Sequence, residues 1–227
     1  MDEPHPDTQR PVPAAVPDPH AVRSEEQLLA LYPTPVARSW AKESSVVTPG
    51  YRELIAASPF CVIATNGPDG IDCSPRGDAP GFVGVLDERT LVIPDRRGNN
   101  RLDTLRNITR DSRIGLVFVI PGIGEAVRVR GVATISTDPN LLRDNAVRGI
   151  EPVTVLVVRV DRIYFQCRRA TLRSALWQAP HVDPASLPTP GRLQAEVGAM
   201  SEPDADSYDR SVAAYAAATL YEGPSKP

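Results

Sequence analysis

Between residues 60 and 166 the chain is written almost wholly in short apolar runs separated by turn signals. That alternation limits the fold more than any other feature of the sequence. "FCVIATN" reads as a buried strand, "GPDG" as a turn needing glycine, and "IDCSPRGD" as a return to extended chain. "FVGVL", "DER" and "TLVIP" give strand, turn and strand. "RIGLVFVI" follows as a strand, "PGIGE" as a turn, and "AVRVRGVATIS" as a long alternating strand. In that strand Val127, Val129, Gly131 and Ala133 share one face, and Arg128, Arg130 and Val132 the other. "VTVLVVRVDRIYFQC" returns as a further long strand. Six or seven strands joined mostly by tight turns predict a mainly antiparallel β fold with flanking helices. There are enough of them to close into a small barrel and remove exposed edges.

Helical patterns surround these strands. Ser24 followed by Gln27 fits a capping box before "QLLALY", with Leu28, Leu29 and Leu31 as an apolar face, and Pro33 and Pro35 stop that helix. A second short helix is expected over 36–43 and a third over "PGYRELIAASP". "LDTLRNIT" predicts a short helix with Leu102, Leu105, Arg106 and Ile108 near one side, and "DPNLLRDNAV" one capped by Asp138. Near the end, "SYDRSVAAYAAATLY" is Ala-rich, with Tyr208, Val212, Tyr215 and Leu220 as contacts to the domain or to a partner. The expected organisation is a flexible Pro-rich arm over 1–23, N-terminal helices over 24–58, the β domain over 59–178 and a C-terminal extension with a helix over 179–227.

Composition excludes several function classes. A net charge of −3 gives no basic excess for a nucleic-acid binder. Lysine stands only at Lys42 and Lys226, so the cations are nearly all arginine. The start carries neither a basic stretch nor an apolar one, and the longest apolar run is broken by Pro and Gly, so neither a secretory signal nor a membrane span is expected. Cys61, Cys73 and Cys167 give no disulfide framework or zinc spacing, which predicts a reduced, cytoplasmic setting and no metal. The histidines are His5, His20 and His181, all in Pro-rich or Pro-flanked segments, which argues against a Ser-His-Asp or Cys-His centre. An enzyme with this composition takes its chemistry from an organic cofactor.

Three polar stretches are candidates for ligand contact. "DRRGNNRLDTLRNI", 95–108, places Arg96, Arg97, Asn99, Asn100 and Arg101 around Gly98, just before a helix. It is either a solvated connection with Asn100 as an N-cap, or a cradle for an anion. "SPRGDAPG", 74–81, alternates Ser74, Arg76 and Asp78 with Pro75 and Gly77 at a strand end. It is either a surface Arg–Asp turn or a wall for a planar ring. In "CRRATLRSALW", 167–177, Arg169, Arg173 and Trp177 recur at helical spacing, which suits an anionic aromatic ligand or a dimer seam.

In combination, "ASPFCVIATNGPDG", "DCSPRGDAPGFVGVLDERTLVIPDRRGNNRLDTLRNI", "RIGLVFVIPGIGE", "VRGVATISTDP" and "RSALW" resemble the pyridoxamine 5′-phosphate oxidase-like flavoproteins, and most of all an actinobacterial FMN-dependent branch. The resemblance runs over roughly residues 25–221, with "SPRGD" and "GNNRLD" as its most specific strings. It implies a split β-barrel, a homodimer, and FMN in each of two clefts between subunits. It also implies that the 95–101 loop is a cradle, with Asn100 and Arg101 on the FMN phosphate and Arg97 and Asn99 nearby. Ser74, Pro75, Arg76, Gly77 and Asp78 would line the flavin ring and ribityl chain, with Ile93 and Pro94 from the adjacent strand. Arg173 and Trp177 match the region that reaches toward the other subunit's flavin. Arg76 is the candidate catalytic residue, stabilising negative charge on the reduced ring. The implied activity is FMN-dependent hydride transfer to or from a small molecule, with no nucleic-acid or membrane partner. The alternatives are a flavin-binding carrier, sensor or scaffold, or the same fold with a deazaflavin cofactor or haem. Gln166, Arg168, Arg169, Ala175 and Arg130 depart from the branch's pattern and, if they rim the cleft, favour an anionic substrate.

Overall fold

The computed structural model describes residues 16–68 and 70–221. Of the arm expected at 1–23, residues 1–15 therefore lie outside the described residues. The chain divides into two compact units. Among the described residues, one holds the chain from 16 to Ile93 with Leu102–Ile135 and Leu156–Arg168, and the other Pro94–Arg101, Ser136–Val155 and 169–221.

The first unit is built on a seven-stranded sheet in which β1 (Phe60–Gly67), β2 (Gly70–Gly77), β3 (Gly84–Asp87), β4 (Thr90–Pro94), β5 (Arg113–Val119), β6 (Ala126–Ser136) and β7 (Val155–Gln166) lie in the order β2-β1-β5-β6-β7-β4-β3. The β1–β2, β1–β5, β3–β4 and β5–β6 pairs are antiparallel. This is the expected mainly antiparallel fold. The sheet is open, however, with β2 and β3 as end strands, so the edges that closure would remove are present. Pro75 sits inside the end strand β2, and alternation from the Gly67–Gly70 hairpin pair puts its nitrogen on the free edge, where the missing N–H costs the ladder nothing.

Alternation sorts side chains to two faces. In β6, Val127, Val129, Gly131 and Ala133 are buried while Arg128, Arg130 and Val132 are exposed, as the sequence predicts. The buried set joins Ile63 and Cys61 of β1, Leu116 and Phe118 of β5, Leu91 and Ile93 of β4, and Leu156, Val158 and Ile163 of β7. Each such side chain contributes about 1.5–3 kcal/mol by leaving water. Gly131 is required for close approach, because a Cβ there would collide with the Arg159 carbonyl oxygen on β7. On the opposite face, cross-strand rows run Pro75–Val62–Val117–Arg128 and Cys73–Ala64–Gly115–Arg130.

Four helices belong to this unit. α1 (Glu25–Leu31) is capped by Ser24, whose hydroxyl accepts from Gln27 N at 3.1 Å. The Gln27 side chain reaches back to Arg23 N instead of to the cap itself. Leu28, Leu29 and Leu31 are exposed, so the expected apolar face has no cover among the described residues. α2 (Arg38–Ala41) and α3 (Pro49–Ala57) lie where expected, and Ile55 of α3 enters the core. α4 (Asp103–Arg110) buries Thr104, Asn107 and Ile108, whereas Leu102 precedes it as an exposed N-cap. Asn107 Nδ2 donates to Thr65 Oγ1 at 3.1 Å, and Gly67 leaves the room for it.

In the second unit, α5 (Pro139–Asp144) is capped by Asp138, which accepts from Asn140 N at 2.8 Å. α6 (Arg169–Arg173) is one short turn. α7 (Pro190–Glu196) packs on α8 (Glu202–Ala218), where Gly191 N donates to Asp209 Oδ1 at 2.8 Å. No helix among the described residues is long and apolar enough to cross a membrane.

Candidate functional site

The residues expected to meet a ligand fall in both units, and each group is described within its own. In the first unit Ser74, Pro75, Arg76 and Gly77 are consecutive on β2, with Asp78 just beyond. Ser74 and Arg76 are half-buried on the side of Cys61, and Pro75 is exposed on the other. The Arg76 guanidinium turns back on its own strand, donating from Nη1 to Ser74 Oγ at 2.5 Å and to the Pro75 carbonyl at 2.9 Å. Its charge is felt across the strand pair at Cys61. Burial pushes the Cys61 thiol up to about 12, and Arg76 opposes that shift. Asp78 N donates to the Pro59 carbonyl at 3.1 Å, and its carboxylate accepts from Ala79 N at 2.7 Å. A Cβ on Gly77 would stand 3.3 Å from that same Pro59 oxygen, so the segment is held close to the start of β1. Ile93 is packed in the core, which leaves its backbone as what it can offer a ligand.

In the second unit the loop from Asp95 to Arg101 is tied down at several points. Asp95 N donates to the Thr154 carbonyl at 3.0 Å, Arg96 Nη1 to the Asn145 carbonyl at 2.7 Å, and Arg97 Nη2 to the Tyr215 hydroxyl of α8 at 3.3 Å. Arg101 N donates to Asn99 Oδ1 at 3.1 Å. Asn100 takes φ 58 and Leu102 φ 60, so two residues other than glycine adopt left-handed backbone here. Asn100 is not the N-cap of α4, since Leu102 occupies that place without a side-chain cap. Gly98 itself has open space around its missing Cβ.

The third group changes most. α6 ends at Arg173, and Ala175 takes φ 47, so Arg169, Arg173 and Trp177 do not form one helical stripe. Of the departures from the branch pattern, Arg168 is held by Glu125 at 2.7 Å and lowers the pKa of that carboxyl. Gln166 Oε1 accepts from Arg128 Nη1 at 3.4 Å.

Guanidinium, amide and hydroxyl donors suit the phosphate and carbonyl oxygens of a flavin nucleotide. The Thr154 hydroxyl is buried with no hydrogen-bond partner among the described residues, and the carbonyl of that residue anchors the first residue of the loop. Sequence reasoning missed Thr154 and Asn145, because neither carries a local signal and both meet the loop from distant segments, and it gave Tyr215 as a contact without naming the loop. Among the described residues no group of three or more His, Cys, Asp or Glu side chains comes together to hold a metal.

No curated protein matches the chain. Among solved structures, HupZ of Group A Streptococcus aligns at 21% identity and TM-score 0.44, covering 53% of this chain and 94% of its own. General Stress Protein 26 of Bacillus anthracis aligns at 18% and 0.39, covering 50% and 88%. The FAD binding protein of Mycobacterium smegmatis aligns at 15% and 0.38, covering 54% and 97%. Scores this low carry no weight on function. The family profile described as pyridoxamine 5′-phosphate oxidase matches residues 47–167, more than half of the chain and nearly the whole β region. The chain belongs to the pyridoxamine 5′-phosphate oxidase family.

Proposed function

We propose that this chain is an FMN-dependent oxidoreductase acting on a small molecule, and that it works as a cytoplasmic homodimer. The observation that carries this reading is the family match over residues 47–167. A bound flavin supplies hydride acceptance and release at its N5 position. The chain's own residues bind and orient it. Arg101 and Asn100, with Asn99 and Arg97, would hold the phosphate through charge-assisted hydrogen bonds. Ser74, Pro75, Arg76, Gly77 and Asp78, with Ile93 and Pro94, would line the ring and ribityl chain. Arg173 and Trp177 would serve the second subunit's flavin.

Arg76 is the candidate catalytic residue, placing positive charge where the ring gains negative charge on reduction. Ser74 and the Pro75 carbonyl hold its guanidinium in place, and no carboxylate among the described residues pairs with it. Cys61, Cys73 and Cys167 form no disulfide with one another, which suits a reducing compartment. The homodimer is supported by the outward rows of the sheet, where exposed Pro75, Val117 and Cys73 and half-buried Val62, Ala64 and Gly115 form an apolar strip.

The reading is tested on purified protein. It predicts a yellow protein that releases FMN on denaturation, bleaches with NADH or NADPH, and recovers its colour with an added acceptor. Arg101→Ala weakens FMN binding by about tenfold or more, the cost of one charge-assisted hydrogen bond. A protein that neither carries nor takes up flavin ends the reading. Bound flavin that no donor reduces would leave a flavin carrier, sensor or scaffold in its place.

A further inference from the structure

A cleft of about 470 Å³ opens in the first unit, lined by none of the residues assigned to the flavin. Its walls are Tyr51 and Leu54 of α3, Ile123 of the β5–β6 turn and Phe165 of β7, with Gly50 exposed on one side and Glu125 at the rim. The volume lies within the range of small-molecule sites. The cleft is pinned open: the Tyr51 hydroxyl donates to the Lys42 carbonyl at 3.3 Å and accepts from Phe165 N at 3.2 Å, fixing three segments to each other. A Cβ on Gly50 would meet nothing within 4 Å, so the missing side chain is space a ligand can use.

Charge at the cleft is uneven. Glu125 is neutralised by Arg168 at 2.7 Å. Lys42 holds its ammonium 4.6 Å from the centre of the Phe165 ring, and no described carboxylate pairs with it. In a chain whose other cations are almost all arginine, a lysine over an aromatic wall is a compact charge for a single anionic group. We propose that this cleft binds a planar aromatic carboxylate of one or two rings, with the ring between Tyr51 and Phe165 and the carboxylate paired to Lys42. The proposal is independent of the flavin reading, because no residue is shared.

The test uses the full chain with 2-naphthoate as probe, titrated by calorimetry. Wild type is expected to bind one equivalent saturably. Gly50→Leu fills the cleft with a good helix former and is expected to weaken binding at least about tenfold, with circular dichroism and flavin content unchanged. Lys42→Gln is expected to weaken 2-naphthoate several-fold and to leave uncharged 2-naphthol unaffected. Absence of saturable binding overturns the proposal, as does equal affinity in Gly50→Leu. A changed sedimentation coefficient in Gly50→Leu also overturns it, since the cleft would then serve an interface with a second copy.

Discussion

Arg97 Nη2 donates to the hydroxyl of Tyr215 at 3.3 Å, so a helix near the end of the chain holds a cation of the 95–101 loop. Tyr215 thereby acts as a positioning residue for the proposed phosphate cradle. Tyr215→Phe keeps the ring and removes the hydroxyl. The expected result is FMN binding weakened about two- to fivefold, the scale of one long, solvent-exposed hydrogen bond from a guanidinium, with the unfolding temperature nearly unchanged. Fluorescence titration of FMN into flavin-free protein measures it.

Thr154→Val separates two roles of one side chain. Its hydroxyl is buried without a partner among the described residues, which costs the free protein stability. Replacing it with a methyl group of the same shape is expected to raise the stability of flavin-free protein by about 1 kcal/mol and to weaken FMN retention several-fold. Denaturant unfolding and FMN titration, run on the same samples, check both halves.

Two glycine substitutions should strike different units. Gly131→Ala drives a Cβ into the Arg159 carbonyl oxygen and forces β6 from β7, with an expected loss of about 1–3 kcal/mol or more. Gly191→Ala places its Cβ 2.5 Å from the Ala205 carbonyl oxygen and 2.7 Å from Asp209 Oδ2. That change should loosen α7 from α8 and raise amide exchange there while sparing the sheet. Hydrogen exchange by mass spectrometry distinguishes the two patterns.

Cys61 makes stability fall on the alkaline side. Burial raises its thiol from 9.0 to about 12, against the opposing pull of Arg76. Above about pH 9 the unfolded chain loses this proton and the folded chain keeps it, so stability present at neutral pH drains away as pH rises toward 12. At pH 10.5 the loss is roughly 2 kcal/mol. Cys61→Ala should flatten that part of the profile, measured by urea unfolding between pH 8 and 10.5.

The β framework was legible because period-two burial is written directly in the side chains. Val127, Val129 and Ala133 face inward as the sequence dictates, and the turns fall where Gly and Pro announce them. What was not legible depends on partners distant in sequence. Asn107 is buried because Thr65 and Gly67 of β1 receive it, which no helical pattern foretells. Asparagine tolerates left-handed backbone, as Asn100 does, but nothing in the residue type announces it at Leu102. Arg169, Arg173 and Trp177 kept helical spacing on paper, but the helix stops at Arg173. The 95–101 loop could be singled out as a polar candidate and Tyr215 as a contact of its helix, whereas the tethers at Asn145 and Thr154 could not.

Pro75 carries a consequence of its own. An end strand offers a row of unpaired donors and acceptors to any passing extended chain, the route by which sheets grow into fibrils. With proline in the middle of β2, that row lacks one donor where a newcomer would need it. Pro75→Val would restore the donor in a β-favouring residue, and the cost would be paid in aggregation long before any loss of fold became measurable.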